Sequence, residues 1–166
     1  MYYRVSGAIP HEAGERAADA SKRAMHALVE GGNVTGLIGY ETDDGRGPTG
    51  EVPVGWVSLG PREQYDKLRR SPVMRAVDDQ AVWSIVCFVV PSEHRGRGLT
   101  KALLAGAIAY AREQDAGILE AYPVDTAVPG HASAPWFGSE HMFAEAGFEE
   151  VARRRDDRPV MRLRLR

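Results

Sequence analysis

The stretch AVWSIVCFVVPSEHRGRGLTKALL, residues 81–104, decides the fold. Two alternating sets of apolar side chains run through its first part, Val82, Val86, Phe88 and Val90 on one side and Ala81, Trp83, Ile85, Cys87 and Val89 on the other. A strand that is apolar on both faces is covered on both, so this one belongs at the centre of a sheet. Pro91 closes it, two glycines follow within PSEHRGRG, and Leu99, Leu103, Ala107 and Tyr110 then continue one stripe of a helix to about Gln114. GILEAYPV, residues 117–124, reads as the next strand. Strand, glycine-rich turn, helix and strand make a parallel crossover unit, which is right-handed in nearly every protein and places the helix on one face of the sheet.

Outward from this unit, strand-like and helix-like segments alternate, the order of a mixed α/β domain. From His11 to Glu30, Ala17, Ser21, Ala24, Met25 and Leu28 line one face of a helix that stops at Gly31-Gly32. VTGLIGYE (34–41) and EVPVGWVSLG (51–60) are β-rich runs joined by TDDGRGPTG (42–50), whose Gly, Pro and Asp suit a turn, and together they predict an antiparallel hairpin. The charged residues 62–70 form a short helical turn before Ser71-Pro72. Residues 130–146 end helically at Gly147, and 147–166 make two strands around DDRP. In the last strand Met161, Leu163 and Leu165 alternate with Arg162, Arg164 and Arg166, which reads as a solvated face on a charge-protected edge strand rather than a nucleic-acid patch.

Composition narrows the class. The chain has 166 residues, 43% hydrophobic and 27% charged, which fits one globular domain over 1–166 and disfavours disorder. A formal charge of -2 argues against nucleic acid as a partner. The single cysteine, Cys87, allows no internal disulfide and suits a reducing compartment. The start MYYRVSGAIP lacks a basic, then apolar, export pattern, and no apolar run reaches a membrane-spanning length of about 18 residues, so a cytoplasmic protein without membrane contact is expected. The five histidines show no metal-ligand spacing, so no metal is expected.

The chemistry sits at residues 95–101. Backbone N–H groups at a helix start have no intrahelical partner, the helix dipole adds positive charge, and Gly96 and Gly98 allow close approach of a ligand. Arg95, Arg97 and Lys101 add full charges, so the loop is suited to a phosphate. A tight turn that binds nothing would use the same glycines. The adenine and guanine nucleotide loops need Lys before Ser or Thr, whereas Lys101 follows Thr100.

Arg95-Gly96-Arg97-Gly98-Leu99-Thr100 resembles the Arg/Gln-x-x-Gly-x-Gly/Ala loop of the GCN5-related N-acetyltransferases, the GNAT superfamily. VWSIVCFVVPSEHRGRG resembles that family's fourth strand and loop, ILEAYPVD its fifth strand, and HMFAEAGFEEV its late helix, Gly-Phe corner and following strand. The resemblance implies a mixed central sheet with a parallel, splayed strand pair and helices on both faces. It implies acetyl-CoA as cosubstrate, with the pyrophosphate at Arg95, Gly96, Arg97, Gly98, Leu99, Thr100 and Lys101 and the pantetheine arm along the main chain of Phe88, Val89 and Val90. It also implies direct transfer of acetyl to an amine, on a small molecule or a peptide, in a protein that can form a homodimer. Two positions depart from the pattern. Thr100 replaces Gly or Ala, and Phe143 stands where many members carry a tyrosine that protonates the leaving thiolate.

Candidates for the missing proton chemistry are Tyr122, Ser139 and His141 as acid, and Glu120, Asp125 or Glu140 as base. For each, the ordinary reading is a surface or structural residue, and water can relay protons instead. Ser139 shares a helix face with Phe143 if the helix begins near Pro135, while His141 is rotated away. Trp136 and Phe137, with Pro135 and His131, are candidates for lining the acceptor site, and a core role suits both rings equally. Cys87, in a doubly apolar strand, reads as an inert thiol. The rival to an acyltransferase is a non-catalytic module that binds coenzyme A or another phosphate ligand as a sensor, a reading kept open by Phe143.

Overall fold

The computed structural model describes residues 4, 9, 10, 14–42, 50–130 and 135–166. The helix start at residues 11–13, the hairpin turn at 43–49 and His131 lie outside the described residues. In chain order the elements are α1 (Ala17–Glu30), β1 (Leu37–Thr42), β2 (Glu51–Pro61), α2 (Asp66–Arg70), β3 (Trp83–Val89), α3 (Leu99–Glu113), β4 (Ile118–Ala121), α4 (Glu140–Glu145), β5 (Glu149–Arg153) and β6 (Pro159–Arg164). Short 3-10 turns lie at 62–64, 92–94 and 135–137. The strands form one sheet in the order β1-β2-β3-β4-β6-β5, antiparallel except for the β3–β4 pair.

The doubly apolar run is central, as expected, and two cores flank it. Leu103, Leu104, Ala107 and Ala111 of α3, Met142 and Phe143 of α4, and Phe148 pack on one face with Ile85, Phe88, Leu119 and Met161. Tyr65, Leu68 of α2, Val86, Tyr122, Val124, Phe137 and Val160 pack on the other. Helices therefore cover both faces.

The face assignment within β3 differs from strict alternation. Ser58 pairs with Cys87 but Leu59 pairs with Ile85, so Val86 is an extra residue with no partner on β2. This β-bulge turns Ile85 and Phe88 to the α3 side and Val86 to the other, where alternation would have put Val86 with Phe88. Val89, beyond the bulge, is 49% exposed, so the double cover ends before the strand does.

A second correction concerns the last strand. β6 is an interior strand between β4 and β5, and β5 is the edge. Arg162, one of the arginines expected in solvent, is buried between strands. Among the described residues no helix is long and apolar enough to cross a membrane.

Candidate active site at the β3–β4 fork

Parallel pairing between β3 and β4 is short. It joins Trp83 to Leu119, Ser84 to Glu120 and Ile85 to Ala121, and there β4 ends while β3 runs on to Val89. The strands part at the bulge, and the chain after β4 takes another partner: Val124 pairs with Ser139, its N–H donating to the Gly138 carbonyl at 3.0 Å while the Glu140 N–H donates to the Val124 carbonyl at 2.8 Å. Gly138 (φ +75°) sits where a side chain would meet Met142, Phe143 and Phe88, so only glycine fits there.

The fork opens into a cavity of about 360 Å³ lined by Phe88, Val89, Val90, Arg95, Thr100 and Trp136. At its end stands the start of α3. Gly98 (φ +76°) precedes the first helical residue, no side chain caps this terminus, and the first turn carries no acidic residue. Its leading N–H groups are therefore left for water or a ligand. A Cβ at Gly96 (φ +75°) or Gly98 would meet nothing within 4 Å, so the left-handed backbone and the open space before it, rather than internal packing, account for these glycines.

The three cations of the loop differ. Arg95 lines the cavity and donates from Nε to the Val90 carbonyl at 3.0 Å. Arg97 pairs with Glu41 of β1 at 2.8 Å, and Lys101 pairs with Glu145 of α4 at 2.6 Å, both in solvent. Lys101 is thus turned toward α4. Thr100 stands on the cavity wall, its branched side chain accommodated at the helix start.

The proton-transfer candidates separate by burial. Tyr122 and Glu120 are 1% and 0% exposed and belong to a sealed polar cluster on the side of the sheet opposite α3. The Tyr122 hydroxyl donates to Glu120 Oε1 at 2.6 Å, lies 3.0 Å from Ser84 Oγ and accepts from Arg62 Nη1. Glu120 also accepts from Arg62 at 3.1 Å and from Arg162 Nε at 2.8 Å, and Arg162 reaches Asp78 at 2.6 Å. Burial, reinforced by the Glu120 carboxylate, pushes the Tyr122 phenol well above its ordinary range. Both side chains are buried within this network and neither lines the cavity, so the structure gives Tyr122 and Glu120 a place in the sheet's interior rather than at the fork.

His141 is exposed on α4, with Nε2 3.4 Å from Glu145, and does not line the cavity. Ser139 is the N-cap of α4, its Oγ accepting from the Met142 N–H at 3.3 Å. Its hydroxyl proton remains available, and its half-buried position is beside the fork. Asp125 is paired with Arg153 at 2.8 Å, and Glu140 enters the fork through its backbone. Phe143 is fully buried, its ring 6.1 Å from Phe88 and 5.0 Å from Phe148. Cys87 does not line the cavity, and burial pushes its thiol up.

The two aromatic candidates divide. Trp136, 45% exposed, faces the cavity, whereas Phe137 is buried with Arg158 stacked 3.7 Å from its ring centre. Arg62, Ser84, Asp78 and Arg162 were not anticipated from sequence. Their signal was a lone Glu inside an apolar strand, which must find cationic partners somewhere.

A bulged central strand, a parallel fork and an uncapped helix behind a Gly-rich basic loop match the GNAT fold. The family model for the acetyltransferase (GNAT) family matches residues 6–148, and the chain belongs to that family. No curated protein matches it. Among solved structures, it is similar to YncA from Salmonella typhimurium, solved with its cofactor acetyl-CoA, at 18% identity, covering 91% of this chain and 76% of that one with a TM-score of 0.54. It is similar to a ribosomal-protein-alanine N-acetyltransferase from Brucella melitensis at 19% identity, over 90% and 79% of the two chains with a TM-score of 0.51. A chain of the NatC complex, solved with a Gag peptide and CoA, is 15% identical over 99% and 86% with a TM-score of 0.54. At these identities the likeness is one of fold.

Proposed function

We propose that the protein is an acyl-CoA-dependent N-acyltransferase that moves acetyl directly from acetyl-CoA to an amine. The observation that carries this reading is the fork cavity leading without a break from the free end of β3 to the uncapped start of α3. The residues fit the coenzyme: Arg95 and the amides from Gly96 to Lys101 suit its pyrophosphate, and the main chain of Phe88 to Val90 suits its pantetheine arm. The coenzyme supplies a thioester. The chain's own groups hold it rigid and offer the main-chain N–H donors around Phe88 and Val90 to the carbonyl oxygen as charge develops there. The N–C bond forms as the C–S bond breaks, one proton leaves the amine nitrogen, and one reaches the sulfur.

Phe143 cannot deliver that last proton. Ser139, half-buried beside the fork and outside the cavity lining, is the side chain to which we assign a relay through water. A thiol has a pKa near about 8.5, so even solvent can protonate the leaving sulfur. Amine-dependent release of thiol from acetyl-CoA tests the function. A panel of small amines and peptides should include acceptors that release thiol at least tenfold above the amine-free rate. Tight coenzyme binding with no thiol release from any acceptor would favour the sensor reading, which Phe143 supports.

A further inference from the structure

We infer that the acceptor is a small amine carrying an aromatic or branched aliphatic group, bound on an apolar row that crosses three strands beside the fork. This rests on the acyltransferase reading and names its acceptor class. Ile38 of β1 pairs with Trp56 of β2, and Trp56 pairs with Val89 of β3, so the three side chains share one face of the sheet. Tyr40 stands on that same face, two residues along β1 from Ile38. Ile38, Tyr40 and Val89 are each about half exposed, at 52%, 54% and 49%. Val89 also lines the fork cavity, with Trp136 on its wall, so the row is continuous with the place where acetyl would be transferred.

This concentration is selective. Of the large apolar side chains exposed among the described residues, Ile38, Tyr40, Val89 and Trp136 belong to this row and cavity, leaving Val29 on α1 and Val151 on the edge strand β5. Exposed apolar surface gathered beside a cavity marks a binding surface, whereas scattered residues do not.

Glu41 of β1 alternates to the opposite face and pairs with Arg97, while Glu51 of β2, paired with Thr42, stands on the row's face beyond Tyr40, at the end far from Val89. Strands stand about 4.8 Å apart, so the row extends roughly 10 Å from Val89 to Ile38, enough for one ring on a short tether.

The test uses 2-phenylethylamine and isoamylamine against ethanolamine, spermidine and a hydrophobic N-terminal peptide, with the parent protein, Ile38→Asn and, as a control on the distant edge, Val151→Asn. The parent should release thiol from acetyl-CoA with a KM for the apolar amines at least about tenfold below that for ethanolamine. Ile38→Asn should raise the apolar-amine KM about tenfold, with the KM for acetyl-CoA and the thermal midpoint unchanged. Calorimetry with coenzyme A present should show phenylethylamine binding that Ile38→Asn weakens and Val151→Asn does not. Absence of that binding overturns the inference, as does a preference for spermidine, ethanolamine or the peptide, while acyl transfer itself then stands. A concentration-dependent dimer that Ile38→Asn dissociates would assign the row to a second copy and also overturn it. Failure of coenzyme binding and of thiol release with every acceptor would instead bring down the acyltransferase reading.

Discussion

Two clusters of charge lie on either side of β3, and they are built on opposite principles. Below the fork, Arg62, Arg162, Glu120, Tyr122, Ser84 and Asp78 satisfy one another with hardly any exposure at Glu120 or Tyr122. At the 95–101 loop, Arg95 leans on one carbonyl, the start of α3 has no cap, and open space lies before both glycines. The first cluster ties β3 to β4 and β6 where the parallel ladder stops. The second keeps Arg97 and Lys101 paired in solvent with Glu41 and Glu145 but leaves the amides at the start of α3 uncapped. A polar group consumed by its neighbours in the interior is structure, and a helix start left open beside a cavity is where a ligand belongs.

The comparison can be broken first at the sealed cluster. Glu120→Ala would leave Arg62 and Arg162 without their shared carboxylate, and removing one partner of a buried ion pair costs about 3 to 5 kcal/mol. Urea denaturation should show a loss of that size. A loss under about 1 kcal/mol would mean that water replaces Glu120 and that the cluster is not sealed.

Next in size is the open loop. Gly98→Glu sets a carboxylate at the start of α3, where the proposed pyrophosphate lies, and should cut coenzyme A affinity by about 100-fold in calorimetry. The left-handed φ at Gly98 adds backbone strain of about 1 kcal/mol, so thermal melting should confirm that the variant remains folded.

Ser139 sharpens the border between the two kinds of group, since it both caps α4 and offers a proton. Ser139→Ala should lower turnover by about 10- to 100-fold with little change in coenzyme affinity. Ser139→Asn keeps a capping side chain but lacks the hydroxyl, and it should recover stability without recovering turnover. His141→Ala should match the parent. Full recovery of turnover in Ser139→Asn would reduce Ser139 to a cap.

The smallest effect is one of pH. Hydrogen bonds from Arg162 and from the Gln80 backbone hold the Asp78 carboxyl well below the ordinary carboxylate range. A lowered folded-state pKa contributes stability above the unfolded value, about 3.9, and that contribution is lost as the pH falls below it. Asp78→Asn should therefore flatten the fall in stability below about pH 4 while leaving coenzyme affinity untouched. An unchanged acid profile would show that the pair with Arg162 does not form in solution.

How much of this could be read from the chain follows the same division. The open elements were visible because they are local: glycines, arginines and a helix start within a few residues, next to a run apolar on both sides. The bulge at Val86 was not, since a single extra residue in an all-apolar strand leaves no mark in the pattern and shows only through pairing with β2. The alternating Arg162 and Arg164 looked like a solvated edge because the carboxylate that draws Arg162 inward, Glu120, is far along the chain. Tyr122 and Glu120 looked catalytic for the same reason: their partners Arg62, Ser84 and Arg162 come from other strands and loops, and only the assembled sheet brings them together.

Hydrogen exchange of backbone amides with and without coenzyme A bears most directly on the central claim that the fork and the start of α3 hold the coenzyme. Exchange should slow at Phe88 to Val90 and at Gly96 to Lys101, with no change in the strands of the sealed cluster, which are already protected. Protection confined to other segments, or none at 96–101 under saturating coenzyme, would contradict the account.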